Sequence, residues 1–151
     1  MTETFPIIPA EGRVLWILAA FVGLLMLGVV LVLIATARGA AHSRFDISVD
    51  GLRLRGDLYG RFVPAAAIRG GEVRIVNLAA AAELAPRSRT AGTAVPGYRS
   101  GWFRLQNGEK ALLYLTAGDR AVYVPTTEGF SLLLSAQEPE RFVERLRAIT
   151  N

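Results

Sequence analysis

The pattern of hydrophobic and polar positions divides the chain into three parts, of which the first is an apolar run. Residues 14–35 are uncharged, and the nearest charged residues on either side are Arg13 and Arg38. As a helix this run would be about 33 Å long, enough to cross a hydrocarbon core about 30 Å thick. Because it is apolar on every side, it lacks the polar face of a soluble helix. We therefore predict a transmembrane helix over residues 14–36.

The second part, from Phe45 onward, shows the period-two alternation of β-strands. Phe45, Ile47 and Val49 alternate with polar residues, and Asp50-Gly51 is a two-residue hairpin signal. Turn signals then recur about every ten residues, which is typical of an antiparallel sandwich or barrel. The predicted strands cover residues 45–50, 52–55, 58–63, 72–76, 98–105, 110–115, 121–124 and 130–134, and those from residue 98 onward are expected to form three successive hairpins.

Two stretches of this part lack a strand pattern. Residues 77–85 favour one or two helical turns, with Asn77 as a cap and Pro86 as terminator, although an alanine-rich loop would look similar. Residues 87–97 are rich in Gly, Ser, Thr and Pro, which predicts a long surface loop. Long loops on a rigid scaffold often carry function.

The third part is an amphipathic helix that begins near Pro139. Phe142, Val143, Leu146 and Ile149 form an apolar stripe at helical spacing. We predict that this stripe packs on the core and closes the open end of the barrel. The resulting division is a short tail (1–13), a transmembrane helix (14–36), a link (37–44) and a mainly β domain (45–151). So short a link would hold the domain against the bilayer surface.

The distribution of arginines predicts the orientation in the membrane. Arg13 is the sole basic residue before the apolar run, whereas four arginines follow it closely, which favours a cytoplasmic C-terminal domain. A cleaved signal peptide is the alternative, because Ala35-Thr36-Ala37 has the form of a cleavage site. The preceding segment is not basic and the apolar run is long, both of which favour an uncleaved anchor.

Composition excludes several kinds of chemistry. The chain has no cysteine and one histidine, His42 in the link, so a Cys/His zinc site and a Ser-His-Asp triad are both ruled out. No phosphate-binding or dinucleotide fingerprint occurs, and no carboxylate pair can be read from spacing. The net charge of +4 comes from scattered arginines rather than one basic helix, which disfavours nucleic acid. We expect no catalytic residues, no metal and no cofactor.

A candidate interaction surface surrounds the predicted loop. It consists of Arg87, Arg89, Tyr98, Arg99 and Trp102, residue types that are enriched at binding hot spots. The alternative is that Trp102 fills the core and Tyr98 packs the loop. If the surface binds, changing the three arginines together to Ala should impair binding without unfolding the domain.

Short motifs resemble a known family. The strand order followed by one helix is that of a pleckstrin-homology-like (PH-like) barrel, and the specific similarities are Gly92-Thr93, Pro96-Gly97-Tyr98, Gly101-Trp102-Phe103, Asn107-Gly108, Leu134-Ser135, Pro139, Arg141 and Phe142. Residues 45–149 thus resemble the bacterial PH domain family, in which such a domain commonly follows membrane helices. Phosphoinositide-binding PH domains carry basic residues around a long first loop. The short Asp50-Gly51 turn departs from that pattern, so none of those binding residues is carried over.

The resemblance implies a PH-like fold of about seven strands, membrane association and no established activity. Together with the apolar run it predicts a non-catalytic, single-pass protein of the bacterial cell membrane that presents a module for protein interaction, assembly or self-association. Anionic lipid headgroups are the alternative ligand. A small-ligand-binding or enzymatic barrel is the third reading, which a deep polar pocket with converging carboxylates would favour.

Overall fold

The computed structural model describes the backbone of residues 12–56 and 58–150, and their side chains except at residues 36–42. Most of the predicted tail and the side chain of His42 therefore lie outside the described residues. The chain divides into two units, with the boundary between Ala37 and Arg38. The boundary falls at the start of the predicted link.

The first unit contains most of the helix α1, Arg13–His42. Its segment Arg13–Ala35 is long and apolar enough to cross a membrane, and its large apolar side chains are exposed throughout. The helix continues through residues 36–42, which include most of the predicted link. The alanines at 37, 40 and 41 explain this extension, since alanine has the highest helix propensity.

The second unit contains two sheets and one helix. Its strands among the described residues are β1 (Arg44–Ser48), β2 (Gly51–Arg55), β3 (Phe62–Pro64), β4 (Arg74–Val76), β5 (Pro86–Val95), β6 (Tyr98–Leu105), β7 (Lys110–Leu115), β8 (Ala121–Pro125) and β9 (Ser131–Leu134). The first sheet has the order β1-β2-β3, and the second sheet has the order β4-β8-β9-β7-β6-β5. The helix α2, Pro139–Thr150, follows. The predicted fold class is confirmed, with nine strands in the described residues where about seven were expected.

The first sheet begins with a tight hairpin. Ser48 lies opposite Gly51, so the connecting turn is Val49-Asp50, one residue earlier than predicted. Gly51 has φ +149° and starts β2 at a point where a Cβ would overlap the backbone of β3 at Val63 and Pro64. The prediction of a short β1–β2 connection holds, whereas the predicted strand at 58–63 is reduced to β3.

The order of the second sheet contradicts one of the three predicted hairpins, that between β7 and β8, whereas β6 with β7 and β8 with β9 form antiparallel pairs as predicted. The strand β9 lies between β7 and β8, parallel to the former and antiparallel to the latter. All four residues of β9 are buried, as expected of a central strand covered on both faces. Turn signals indicate where a chain reverses, but they do not indicate which strands become neighbours.

The predicted surface loop at 87–97 is also wrong, because most of it forms the edge strand β5. Its ten residues are exposed or half-buried, so the hydrophobic alternation that marks a strand in sequence is absent. Backbone pairing with β6 over the full length, interrupted by two register shifts, holds the strand in place. Residues 77–85 form turns, of which Ala82–Leu84 is 3₁₀, rather than α-helical turns.

Two hydrophobic cores lie on opposite faces of the second sheet. The main core is shared with the first sheet and α2, and includes Leu52, Leu54, Val63, Leu112, Val122, Leu132, Leu134, Val143 and Leu146. The second core lies under residues 76–84 and includes Leu84, Phe103, Leu105, Leu113, Tyr123 and Leu133. The predicted stripe of α2 is confirmed, since Val143 and Leu146 are buried while Phe142 and Ile149 pack against the main core.

Candidate functional site

A groove of about 880 Å³ runs between β1, the ends of β6 and β7, and α2. Its volume lies in the range of ordinary ligand sites, although it is open rather than enclosed. The groove exists because β1 is an edge strand and pairs with β2 alone within the described residues. All of its lining residues belong to the second unit.

The floor of the groove is aromatic. The ring of Phe45 contacts those of Tyr114 and Phe142 edge to face, with centroids 6.0 Å apart in both pairs. These rings come from β1, β7 and α2, three elements that are far apart in sequence. Ile47 lines the same groove and is half-buried. The groove therefore offers an apolar surface between a strand edge and a helix.

The rim of the groove is charged, with an excess of positive groups. Asp46 is paired with Arg55 at 3.0 Å, and Glu138 is paired with Arg141 at 3.1 Å. Arg44 and Arg145 also line the groove and form no ion pair with the described residues. Because Asp46 and Glu138 are already ion-paired, Arg44 and Arg145 leave a positive field that suits an acidic ligand.

The five residues of the predicted interaction surface do not form one cluster. Arg89 of β5 lies opposite Phe103 of β6 in the sheet. Arg99 lies four residues from Phe103 along β6, a distance of about 13 Å. Because side chains alternate along β6, Tyr98 and Trp102 point to the face opposite that of Arg99. Arg87 lies at a register shift of β5. Tyr98 is buried and lines the main groove, and together with Arg99 it also lines a smaller groove of about 490 Å³.

Trp102 belongs to a different site, a cation–aromatic cluster that the sequence did not predict. The guanidinium of Arg61 lies 5.3 Å from the Trp102 ring and 5.2 Å from the Phe130 ring, and the Lys110 ammonium lies 4.4 Å from Trp102. Arg104 is the cross-strand neighbour of Lys110. None of these three cations forms an ion pair within the described chain. Such an arrangement could accept an anionic group.

Sequence reasoning missed most of the groove for a physical reason. It recognised β1 by its alternation and α2 by its apolar stripe, and Arg141 and Arg145 lie on the side of the helix outside that stripe. Nothing in either pattern indicates that this side flanks the free edge of β1. The one available signal was the pairing of charges Glu138 and Arg141 at helical i, i+3 spacing, which marks an exposed face and not a site.

A buried polar network lies on the second-core face and has a structural role. The hydroxyl of Tyr123 donates to Glu109 at 3.1 Å, and the fully buried Ser131 hydroxyl lies within hydrogen-bonding distance of both Glu109 and the Tyr123 oxygen. Arg74 lies 4.8 Å from the Tyr123 ring. Burial raises the pKa of Tyr123 above 10.0, the charge of Glu109 adds to this rise, and the hydrogen bond from Ser131 opposes it.

The raised pKa of Tyr123 predicts a loss of stability at alkaline pH. The unfolded chain releases the tyrosine proton near pH 10.0 while the folded chain still holds it, so the free energy of unfolding falls as pH rises through the folded pKa. We expect Tyr123→Phe to cost about 1 kcal/mol at neutral pH through lost hydrogen bonds. The difference from wild type should shrink above pH 10, as measured by denaturant unfolding in detergent. A constant difference across this range would contradict the assignment.

Metal chemistry has no support in the described residues, where no group of three or more His, Asp or Glu side chains is placed to hold an ion. The carboxylates of the groove are ion-paired and do not converge as a general acid and base would. The arrangement is suited to binding an extended or anionic ligand.

Comparison with known proteins places the second unit in a family. The sequence pattern of the family described as "Bacterial PH domain" matches residues 45–149, the same residues over which the resemblance was predicted. No curated protein and no solved structure matches the chain. PH domains are generally binding modules without catalytic activity. An apolar helix long enough to cross a membrane precedes the matched residues, which fits a membrane-anchored module. The chain belongs to the bacterial PH domain family.

Proposed function

We propose that this chain is a non-catalytic, single-pass membrane protein whose PH-like domain binds a protein partner at the membrane surface. The observation that carries the proposal is the groove between β1 and α2, which combines an aromatic floor with two arginines that form no ion pair with the described residues. A few residues supply most of the binding energy at protein interfaces, and tyrosine, tryptophan and arginine are enriched among them. A second copy of the chain is included among the candidate partners.

The anchor supports this proposal through effective concentration. Tethering confines the domain to a thin layer, so weak contacts with other membrane-associated proteins are strengthened without new interactions. We propose that α1 spans the bacterial cell membrane and that the domain lies on the cytoplasmic side, which the arginines after the apolar run favour. A reporter that is active only in the cytoplasm, fused after Asn151, tests the orientation. An intact but inactive fusion would reverse it.

Site-specific photocrosslinking in intact cells tests the binding proposal. A photoreactive amino acid at Gln137, an exposed residue that lines the groove, should yield discrete adducts with a protein. The matched control is Gln106, which is equally polar and exposed but lies in the turn between β6 and β7 and does not line the groove. We expect the protein adducts from position 137 alone. Identical adducts from both positions, or lipid adducts alone from Gln137, would exclude the groove as a protein site.

The interaction surface predicted from the sequence is tested in the same assay. Arg87, Arg89 and Arg99 are all exposed, so changing them together to Ala should leave the fold intact. We expect the triple change to weaken capture of the partner if β5 takes part in the interface. Unchanged capture would remove these arginines from the proposed surface.

Anionic lipid is the second candidate ligand, and the cation–aromatic cluster favours it. Arg61, Arg104 and Lys110 have no counter-ion among the described residues, and juxtamembrane basic groups attract anionic headgroups. Arg61→Gln combined with Lys110→Gln should reduce the phosphatidylglycerol retained by the detergent-purified chain, as counted by native mass spectrometry. The control is Arg69→Gln with Arg120→Gln, which removes two cations that already have carboxylate partners. Equal lipid retention by the two double variants would reject this candidate.

A further inference from the structure

We propose that the groove binds an extended, acidic segment of a partner protein, which adds as a strand to the free edge of β1. The inference rests on the proposed function, because it names the kind of partner that the same groove takes. It makes a stronger claim, since it specifies the backbone conformation of the ligand and the charges that select it.

The hydrogen bonds of β2 show which backbone groups of β1 face the groove. The N–H of Leu54 donates to Arg61 at 2.8 Å, and its carbonyl accepts from the N–H of Arg61 at 3.1 Å. Both backbone groups of Leu54 therefore point away from β1. Phe45 lies directly opposite Leu54, so this is a non-hydrogen-bonded pair, and the N–H and carbonyl of Phe45 point toward the open edge.

The same geometry recurs two residues later. Ile47 lies opposite Leu52 and, by the period-two alternation of an antiparallel ladder, also directs its N–H and carbonyl outward. Phe45 and Ile47 both line the groove, so an extended ligand there meets two donor–acceptor pairs spaced for strand pairing. Main-chain hydrogen bonds of this kind provide affinity, and pockets for alternate side chains provide specificity.

Among the outer strands of the two sheets, β1 is the one best suited to pair with an added strand. The strands β3 and β4 are three residues long, which limits what they can pair with. The strand β5 is longer but has two register shifts, irregularities that protect sheet edges. In contrast, β1 pairs with β2 over five consecutive positions without a shift, and its free edge faces an apolar floor.

The charges of the rim specify the side chains of the ligand. Arg44 lies at one end of β1 and Arg145 on α2, and neither has an ion-pair partner in the described residues. An acidic side chain on the added segment would supply the missing partner. An apolar side chain on the segment would contact the floor formed by Phe45, Tyr114 and Phe142. The ligand is thus an alternating segment with acidic and apolar positions.

Peptide selection on the full chain tests this inference. A display library of random nine-residue peptides is selected on the wild-type chain in phosphatidylcholine nanodiscs, which carry no net charge. We expect enrichment of peptides in which acidic and apolar residues occupy alternating positions. Arg44→Glu combined with Arg145→Glu should weaken binding of a selected peptide about tenfold or more. Replacing the acidic residue of the peptide by lysine should restore part of that loss.

An N-methyl scan of the selected peptide distinguishes strand addition from other modes of binding. Methylation of a backbone nitrogen that pairs with β1 should weaken binding about tenfold, whereas methylation of its neighbours should change it little. We therefore expect the effect to alternate with period two. The control for the charge reversal is Arg69→Glu with Arg120→Glu, two exposed arginines outside the groove, which should leave binding unchanged.

Three outcomes would overturn the inference. A flat or helical-period N-methyl profile would reject strand addition while leaving the proposed function intact, because crosslinking from Gln137 tests that function separately. Failure to enrich any peptide that distinguishes wild type from the groove variant would reject the acidic segment. If phosphatidylglycerol in the nanodisc displaces the peptide, and the groove variant loses that lipid, the groove serves the membrane instead of a protein.

Discussion

Gly101→Ala is expected to lower the free energy of unfolding of the domain by about 3 kcal/mol or more. Gly101 has φ +109°, a conformation that L-residues with a side chain rarely adopt. An alanine Cβ would also lie 2.6 Å from the Cα of Gly92 and overlap the carbonyl oxygen of Ala91. Both neighbours are backbone atoms of β5, so no side-chain rotation can relieve the contact. We therefore expect β5 to separate from β6 in this variant.

Thermal or denaturant unfolding of the full chain in detergent measures this effect, with Gly71→Ala as the matched control. Gly71 has an ordinary φ and open space where its Cβ would lie, so alanine there should change stability by less than about 0.5 kcal/mol. Hydrogen exchange should additionally show faster exchange in β5 of the Gly101 variant. If the two glycine variants proved equally stable, the close approach of β5 and β6 would be wrong.

Leu146→Ala is expected to cost about 3 kcal/mol, the second large effect. Leu146 is fully buried and is the most deeply placed residue of α2, in contact with the core between the two sheets. Truncation leaves a cavity that the rigid sheets cannot fill by moving inward. Since Arg145 and Phe142 line the groove from the same helix, loosened packing of α2 should also weaken ligand binding.

Leu58→Ala is the matched control for this change, because it removes the same atoms from a side chain that is 96% exposed. It should leave the free energy of unfolding within about 0.5 kcal/mol of wild type. Chemical denaturation followed by circular dichroism is sufficient to separate the two variants. A cost at Leu146 as small as that at Leu58 would mean that α2 does not pack on the core.

Local patterns in the sequence were enough to predict the elements whose neighbours are close along the chain. The apolar run gave α1, the alternation around Ile47 and Leu54 gave the first hairpin, and Asn107-Gly108 gave the β6–β7 hairpin. The stripe of α2 was predicted because a helix shows its buried face within three turns. The motifs between Gly92 and Phe142 were enough to identify the family.

Features that depend on distant neighbours could not be predicted in this way. The strand β5 has no hydrophobic alternation, because an edge strand exposed on both faces is held by backbone pairing that leaves no mark on side-chain pattern. The position of β9 follows from its pairing with both β8 and β7. The strand β7 is separated from β9 in sequence by the whole of β8. Arg61 and Lys110 meet over Trp102 across about fifty residues of sequence, so their cluster has no local signature.

The central position of β9 has a consequence for synthesis of the protein. A chain made from its N-terminus exposes β7 and β8 before their common partner, Ser131–Leu134, has been translated. The nineteen residues that follow Leu115, up to and including Leu134, take roughly 1–4 s at about 5–20 residues per second. Once β8 has been made, and until β9 follows, two hydrophobic strands have unpaired inner edges to which another nascent chain could add. Rapid capture of β9 is therefore the step at which ribosome pausing or chaperone supply should most affect the yield of folded protein.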